Sequence, residues 1–197
     1  EKAKDPKTGL LYHGYDESRG MKWADDKTGC SPHFWGRAMG WYAMAIVDVL
    51  DNFPENHVKR ERLYEIFKNV IDAVIKVQDE ETGLWWQVLD MAGREGNYLE
   101  SSCSSMFVYS IAKGIRLGIL GEDYSKYCEK GYEGIIKHFI EEDENGLLNL
   151  KDTCQVAGLG NNPYRDGSYE YYISEPRVTN DFKGIGAFIL ACSEMEK

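Results

Sequence analysis

The chain has 197 residues and a mass of 22.5 kDa, which allows one substantial hydrophobic core, and a single domain is expected. A formal net charge of −10 and a pI of about 4.9 disfavour nucleic acid and anionic membrane surfaces as partners, because both carry negative charge. Five widely spaced cysteines without a CxxC pair predict buried reduced thiols, with no metal site and no cofactor.

Five segments have the apolar periodicity of helices and alternate between two types. The first, third and fifth contain many small residues, which predicts inner helices packed closely on several sides. The second and fourth carry one apolar stripe among charged residues, which predicts outer, half-solvated helices. The predicted helices span residues 34–52, 57–78, 99–117, 124–140 and 183–195.

A short phrase recurs between these helices, in which an acidic residue is followed a few positions later by a glycine. An acidic side chain at the head of a turn can bond the backbone, and glycine suits a positive φ. The phrase predicts repeated helical hairpins, and its uneven spacing favours a toroid with long functional loops over a uniform solenoid. Segments 85–89 and 169–173 are predicted as short hairpin arms, and the fold class is all-α. The predicted heads of the four turns are Asp5, Asp26, Glu80 and Asp143.

Residues suited to sugar chemistry crowd into the loops before the first and third predicted helices. The aromatic share is 13%, with five Trp and thirteen Tyr, which exceeds the usual need of a helical core. Trp and Tyr stack on sugar faces while their polar atoms reach hydroxyl groups, although packing alone would also account for them. The candidate residues of a carbohydrate cleft are His13, Trp23, Asp25, His33, Arg37, Trp41, Trp85, Gln87, Arg94 and Glu100.

Six phrases occur in one order along nearly the whole chain: GLLYHGYDES (9–18), KWADD (22–26), SPHFWGRAMGW (31–41), LWWQVLD (84–90), GREGNYLESS (93–102) and SEPRVTNDFKGIGAF (174–188). In these phrases the chain resembles the unsaturated rhamnogalacturonyl hydrolases of glycoside hydrolase family 105, bacterial pectin-degrading relatives of the unsaturated glucuronyl hydrolases. The resemblance implies an (α/α)6 barrel about twice this length. Residues 1–197 are expected to form its C-terminal half, as a fragment or from a shortened gene, without a second active-site aspartate of the other half.

The resemblance also implies an oligosaccharide substrate whose terminal uronic acid carries a C4=C5 double bond. A carboxylic acid protonates C4, water adds at C5, and the hemiketal opens to release the next sugar, so one acid/base does most of the work. Asp25 is the predicted acid/base, its pKa raised by desolvation from Trp23 and Trp35 and by the like charge of Asp26. The alternative is a turn-capping role for Asp25 or Asp26.

The other candidates are assigned to substrate contacts. The histidines are expected to bond hydroxyls or the carboxylate, the arginines to pair with the uronate as planar forks, and the tryptophans to stack on sugar rings. A surface position for His33, a helix-end salt bridge for Arg37 and core packing for Trp41 are the alternatives. These substrate contacts are His13, Trp23, His33, Arg37, Trp41, Trp85, Gln87, Arg94 and Glu100.

Two other functional classes stay open at this stage. A half-barrel that binds carbohydrate without catalysis is one, and another (α/α)6 enzyme such as a sugar epimerase, using His13 and His33 as a pair, is the other. An open half-barrel would also expose one face of its inner helices, a surface large enough for self-association. No apolar run approaches the roughly 18 residues that span a bilayer, and a cytoplasmic location is expected.

Overall fold

A computed structural model describes residues 1–197 and is mainly helical, which confirms the all-α class. The five long helices begin and end within three residues of the predicted bounds. They are α1 (Gly36–Asn52), α2 (Arg60–Ile75), α3 (Ser101–Arg116), α4 (Ser125–Phe139) and α6 (Phe182–Met195), and a short helix, α5 (Tyr169–Ser174), precedes the last. Two small antiparallel sheets pair β1 (Ile140–Glu142) with β2 (Leu148–Leu150) and β3 (Thr153–Cys154) with β4 (Arg177–Val178).

Helices α1, α3 and α6 form an inner layer with α3 in the middle. Small residues let these helices approach closely: a Cβ at Gly40 of α1 would lie 2.7 Å from the Met106 sulfur of α3, and one at Gly36 would lie 2.8 Å from the Cys103 sulfur. Residues 101–111 of α3 are buried without interruption. The predicted inner type is therefore found for all three helices.

Helices α2 and α4 form the outer layer and bury one face each. On α2 the buried side chains include Phe67, Ile71 and Val74, and on α4 they include Ile135 and Phe139. Both outer faces stay charged and solvated, as amphipathic helices require. The alternation of inner and outer helices predicts the layering correctly.

Three long loops, 1–35, 76–100 and 140–181, precede the three inner helices and meet at one end of the layer. Trp35 of the first loop bridges to Val88 of the second. The Ser101 N–H at the start of α3 donates to the Asp152 carbonyl of the third loop over 3.1 Å. The predicted hairpin arm at 169–173 is wrong, because this segment is helix α5, which Ser168 caps by accepting from the Tyr171 N–H.

The recurring acidic phrase forms the same turn three times. In each copy an Asp carboxylate accepts from the N–H and the hydroxyl of the Thr three residues later, at 2.7 to 3.0 Å. The Gly four residues after the Asp has a φ between +75° and +80°, which L side chains rarely adopt. Two predicted heads, Asp26 and Glu80, are wrong by one residue, since the acceptor precedes the Thr by three positions. The three heads are Asp5, Asp25 and Asp79.

Helices α1 and α6 form two open edges of the inner layer, and both present apolar side chains to solvent. On α1, Trp41 is 47% exposed and Val49 is 50% exposed. On α6, Phe182 is 88% exposed and Ile189 is 60% exposed. No helix combines the length and the apolar character that crossing a membrane requires.

Candidate active site

Four side chains from the three loops form a closed ring of contacts, called here the loop junction. His13 Nδ1 lies 2.7 Å from the Tyr172 hydroxyl, and the imidazole packs on the Trp35 ring at a centroid distance of 4.7 Å. Trp35 Nε1 donates to Gln87 Oε1 over 3.1 Å, and Gln87 Nε2 donates to the Tyr172 carbonyl over 3.2 Å. Each loop thus contributes at least one member, which holds the loops together at one point.

The imidazole of His13 is neutral at physiological pH. Burial lowers the pKa of His13 to about 4, and no charged neighbour opposes this shift. Burial also raises the pKa of Tyr172, so its hydroxyl stays protonated. His13 borders a cavity of about 240 Å³ whose wall includes Tyr12, Met39 and Tyr42. A neutral polar ring beside an aromatic and apolar wall suits a sugar.

Arg37 and Glu100 form a buried ion pair instead of facing a substrate. The guanidinium is 1% exposed, donates to Glu100 Oε1 over 3.1 Å and to the Ser102 hydroxyl over 2.7 Å, and also donates to the Cys154 carbonyl. Glu100 caps α3 by accepting from the Cys103 N–H over 2.7 Å. The helix-end salt bridge, the alternative for Arg37, is the geometry found. Neither side chain is open to a sugar, which corrects both assignments.

Trp85 and Gln87 are also fully buried, which corrects their assignment as substrate contacts. Trp85 donates from Nε1 to the Val74 carbonyl over 2.9 Å and packs against Phe107 at 5.3 Å between centroids. It therefore belongs to the main core between the inner and outer helices. The Gln87 amide bonds Trp35 and the Tyr172 carbonyl in the loop junction and also donates to the Cys154 sulfur over 3.1 Å, so it connects loops and does not face a ligand.

Asp25 has a different environment from the one predicted. Its carboxylate is exposed and accepts from the N–H groups of Lys27 and Thr28 and from the Thr28 hydroxyl. These hydrogen bonds lower the pKa of Asp25, the Thr28 backbone bond most of all, because they stabilise the charged form. The predicted rise in this pKa is wrong. Asp25 does line a cavity of about 410 Å³ with Trp23, but its role as the acid stays a prediction that the geometry does not favour.

Asp90, which the sequence did not single out, is the acidic residue whose pKa is raised. Desolvation of its carboxyl group is the main cause, although the residue as a whole is exposed, and a hydrogen bond to its own backbone and the nearby His33 oppose the rise in part. Asp90 follows the buried segment that carries Gln87, and it lines a cavity of about 380 Å³ that is not the one His13 borders. It is the better candidate for a carboxyl group that holds a proton.

Two of the remaining predicted contacts, Arg94 and His33, lie against Tyr169. Arg94 stacks on the Tyr169 ring, its guanidinium carbon 3.7 Å from the centroid, and pairs with Glu170 at 3.3 Å. His33 is half-buried with its ring edge toward Tyr169, and burial lowers its pKa. Trp41 lies apart from them on the exposed edge of α1. His33 and Arg94 are therefore brought together through Tyr169, whereas Trp41 is not part of that group.

The family model described as Glycosyl Hydrolase Family 88 matches residues 1–197. The chain belongs to glycosyl hydrolase family 88. It is 42% identical over 192 residues to the protein Atu3128 of Agrobacterium fabrum, covering 94% of this chain and 82% of that protein. It is also 29% identical to an unsaturated rhamnogalacturonyl hydrolase of Bacillus subtilis, covering 71% of this chain and 35% of that enzyme.

This family 88 chain is also similar to solved structures of glycoside hydrolases. A family 105 glycoside hydrolase from C. acetobutylicum superposes with a TM-score of 0.97 at 53% identity, covering 99% of this chain and 54% of that one. An unsaturated glucuronyl hydrolase from Bacillus sp. GL1 shares the fold, with a TM-score of 0.65 at 12% identity, covering 99% of this chain and 48% of that one. The chain thus spans about half the length of these solved relatives, and the resemblance to family 105 is confirmed.

Sequence reasoning missed Tyr172 and Tyr169 as site residues of this family 88 protein. Their segment has the aromatic content of a strand, and only the Ser168 cap indicates that it starts a helix. The sequence suggests Trp35 as a source of desolvation for Asp25, whereas the structure packs it on His13. No group of three or more His, Cys, Asp or Glu side chains is arranged to hold a metal ion.

Proposed function

We propose that this family 88 protein hydrolyses oligosaccharides that end in an unsaturated uronic acid, such as those left by pectin lyases acting on rhamnogalacturonan. The observation that carries the proposal is the convergence of three loops on a neutral His13 beside a cavity, in a chain that matches the family along its whole length. The names of the relatives support it, since they include an unsaturated 3S-rhamnoglycuronyl hydrolase of Alteromonas at 28% identity.

In the proposed reaction a carboxylic acid donates its proton to C4 of the C4=C5 bond, and positive charge develops at C5. Water adds to C5 and returns a proton to the carboxylate, and the hemiketal then opens to a keto-uronate and the next sugar. The neutral His13 would bond a sugar oxygen, and Arg94 would attract the uronate. The proton donor is either Asp25, the residue predicted from sequence, or Asp90, the residue with a raised pKa.

The test follows the consumption of an unsaturated disaccharide by its absorbance at roughly 235 nm. We expect the unaltered chain to consume the sugar, and we compare Asp25→Asn, Asp90→Asn and the matched turn variant Asp79→Asn. Loss of activity in Asp90→Asn alone assigns the proton to Asp90, and loss in Asp25→Asn but not Asp79→Asn assigns it to Asp25. A chain that neither binds nor consumes the disaccharide contradicts the proposal.

A carbohydrate-binding half-barrel without catalysis is the second candidate. The ionised, exposed Asp25 favours it, because a carboxylate in that state is a poor proton donor. Calorimetry that detects binding of the disaccharide without any loss of absorbance would support it. The epimerase alternative is weakened, since burial lowers the pKa of His13 to about 4, which makes it a weak base, and its Nδ1 is hydrogen-bonded to Tyr172.

We also propose self-association through the two apolar edges. Exposed apolar side chains on α1 and α6 would be removed from water if each edge packed against the other edge of a second copy. Light scattering should then find a dimer, and Val49→Glu and Ile189→Glu should give monomers. Val58→Glu, a change at a 91% exposed position outside both edges, should leave the dimer intact. An unaltered chain that is monomeric at every concentration would refute this idea.

A further inference from the structure

The geometry of the loop junction points to a positioning role for Tyr172. We infer that the Tyr172 hydroxyl fixes His13 in the tautomer that carries its proton on Nε2, so that the imidazole presents an N–H donor to the substrate. The tautomer itself follows from the hydrogen bonds of the chain. Its effect on a sugar rests on the proposed function.

The hydrogen bonds of Tyr172 decide which nitrogen holds the proton. Tyr172 is fully buried, and its hydroxyl has one polar partner, His13 Nδ1 at 2.7 Å. If Nδ1 carried the proton, it would donate to the hydroxyl oxygen, and the buried O–H of Tyr172 would have no acceptor. An unsatisfied buried donor costs about 1–3 kcal/mol, so the hydroxyl donates to Nδ1 instead. A neutral imidazole then has its proton on Nε2.

The other nitrogen of His13 is available to a ligand. Nε2 forms no hydrogen bond within the chain and is not among the buried atoms that lack a partner. His13 lines the cavity of about 240 Å³ that it shares with Tyr12 and Tyr42. An Nε2–H group facing this space would bind an acceptor oxygen, such as a sugar hydroxyl or the uronate carboxylate.

Both partners of the hydrogen bond are held in place. Trp35 packs on the His13 imidazole, and Gln87 connects Trp35 Nε1 with the Tyr172 carbonyl. Tyr172 lies in the middle of helix α5, so its backbone cannot shift alone. The hydrogen bond at one ring nitrogen of a histidine decides which of the two nitrogens carries the proton. Here the Tyr172 hydroxyl makes that hydrogen bond.

The first experiment records long-range proton–nitrogen NMR correlations of the histidines in the ¹⁵N-labelled chain, without ligand. We expect the pattern of a pure Nε2–H tautomer for His13 and a mixture of tautomers in Tyr172→Phe, which removes only the hydroxyl. Tyr171→Phe is the matched control, because its hydroxyl accepts from the Gly158 N–H and does not contact His13. An Nδ1–H pattern in the unaltered chain, or no change in Tyr172→Phe, overturns the inference.

The second experiment tests the effect on the substrate. Tyr172→Phe should raise KM about fivefold, since one hydrogen bond is worth about 1 kcal/mol, with a smaller change in kcat. In a His13→Gln background, where no tautomer exists, the same change should have no further effect on KM; additive effects would indicate a purely structural Tyr172 and refute the role. If the unaltered chain consumes no sugar, the proposed function fails while the NMR result still decides the tautomer.

Discussion

Asp25 and two members of the loop junction, His13 and Trp35, lie in the same long loop, yet they differ in where their hydrogen-bond partners come from. Asp25 bonds residues two and three positions along the chain. His13 bonds Tyr172, which is 159 positions away, and Trp35 bonds Gln87 across 52 positions. The Asp25 geometry also recurs at Asp5 and Asp79, whereas the loop junction occurs once.

The Asp25 turn is stabilised by contacts that are local in the sequence, whereas the loop junction is stabilised by tertiary contacts. The hydrogen bonds of Asp25 all lie within its own turn, and its lowered pKa follows from those bonds. His13 is neutral because it is buried against Trp35 and Tyr172, a contact that only the tertiary fold creates. Function is therefore better sought where distant segments meet than where an acidic motif repeats.

The largest effect is expected beside the loop junction, at the buried pair of Arg37 and Glu100. Glu100→Gln leaves the buried guanidinium without a counter-charge and should lower the free energy of unfolding by about 3–5 kcal/mol. Urea denaturation measures the change. The control is Glu170→Gln, which breaks the exposed pair with Arg94 and should cost at most about 1 kcal/mol. Equal costs for the two variants would mean that the buried pair contributes no more to stability than the exposed one.

The next largest effect is a loss of folding stability as the pH falls. The pKa of His13 is about 4 in the folded chain and ordinarily 6.5, so the unfolded chain takes up the proton first as the pH falls. The stability that the neutral imidazole contributes is present above pH 6.5 and is lost between about 6.5 and 4, amounting to about 3 kcal/mol.

Urea midpoints measured at about pH 7 and about pH 4.5 test this contribution. The unaltered chain should lose more stability over that interval than His13→Gln does. His138→Gln, at an exposed position on α4, serves as the control and should follow the unaltered chain. An identical pH dependence in His13→Gln would show that this imidazole is not held neutral.

A smaller effect is expected from Gln87→Leu. The change leaves Trp35 Nε1 and the Tyr172 carbonyl without their partner, which should cost about 2–3 kcal/mol. Thermal unfolding followed by circular dichroism measures it, and Gln155→Leu, at an exposed position, should change little. If Gln87→Leu unfolds at the same temperature as the unaltered chain, the ring of contacts does not hold the three loops together.

The smallest effects are expected in the repeated turns. Asp79→Ala should cost about 1 kcal/mol, because its carboxylate is partly buried, and Asp5→Ala and Asp25→Ala should cost less. The urea midpoints of the three variants measure these costs. A cost for Asp25→Ala clearly above that for Asp79→Ala would show that Asp25 has partners beyond its own turn.

The sequence predicts the long helices well because each carries its own periodicity and is followed by a clear stop, such as Pro54 after α1. It also predicts that the functional loops gather before the inner helices. It fails for side-chain direction: Arg37, Gln87 and Glu100 look like binding residues, but all three are buried. Arg37 and Glu100 bond each other, and Gln87 bonds Trp35 and the Tyr172 carbonyl. The role of Tyr172 depends on a contact across 159 positions, which no local pattern reveals.

The shared direction of the inner helices affects the electrostatic potential at the end where the loops meet. Because the three long loops meet at one end, α1, α3 and α6 all start there, and the positive ends of their peptide dipoles point the same way. The protein as a whole carries a net charge of −10 and would repel an anionic sugar. A carboxylate already caps two of these starts, Glu100 on α3 and Asp181 on α6, so the start of α1, which no side chain caps, supplies the local positive potential at the end where such a sugar would arrive.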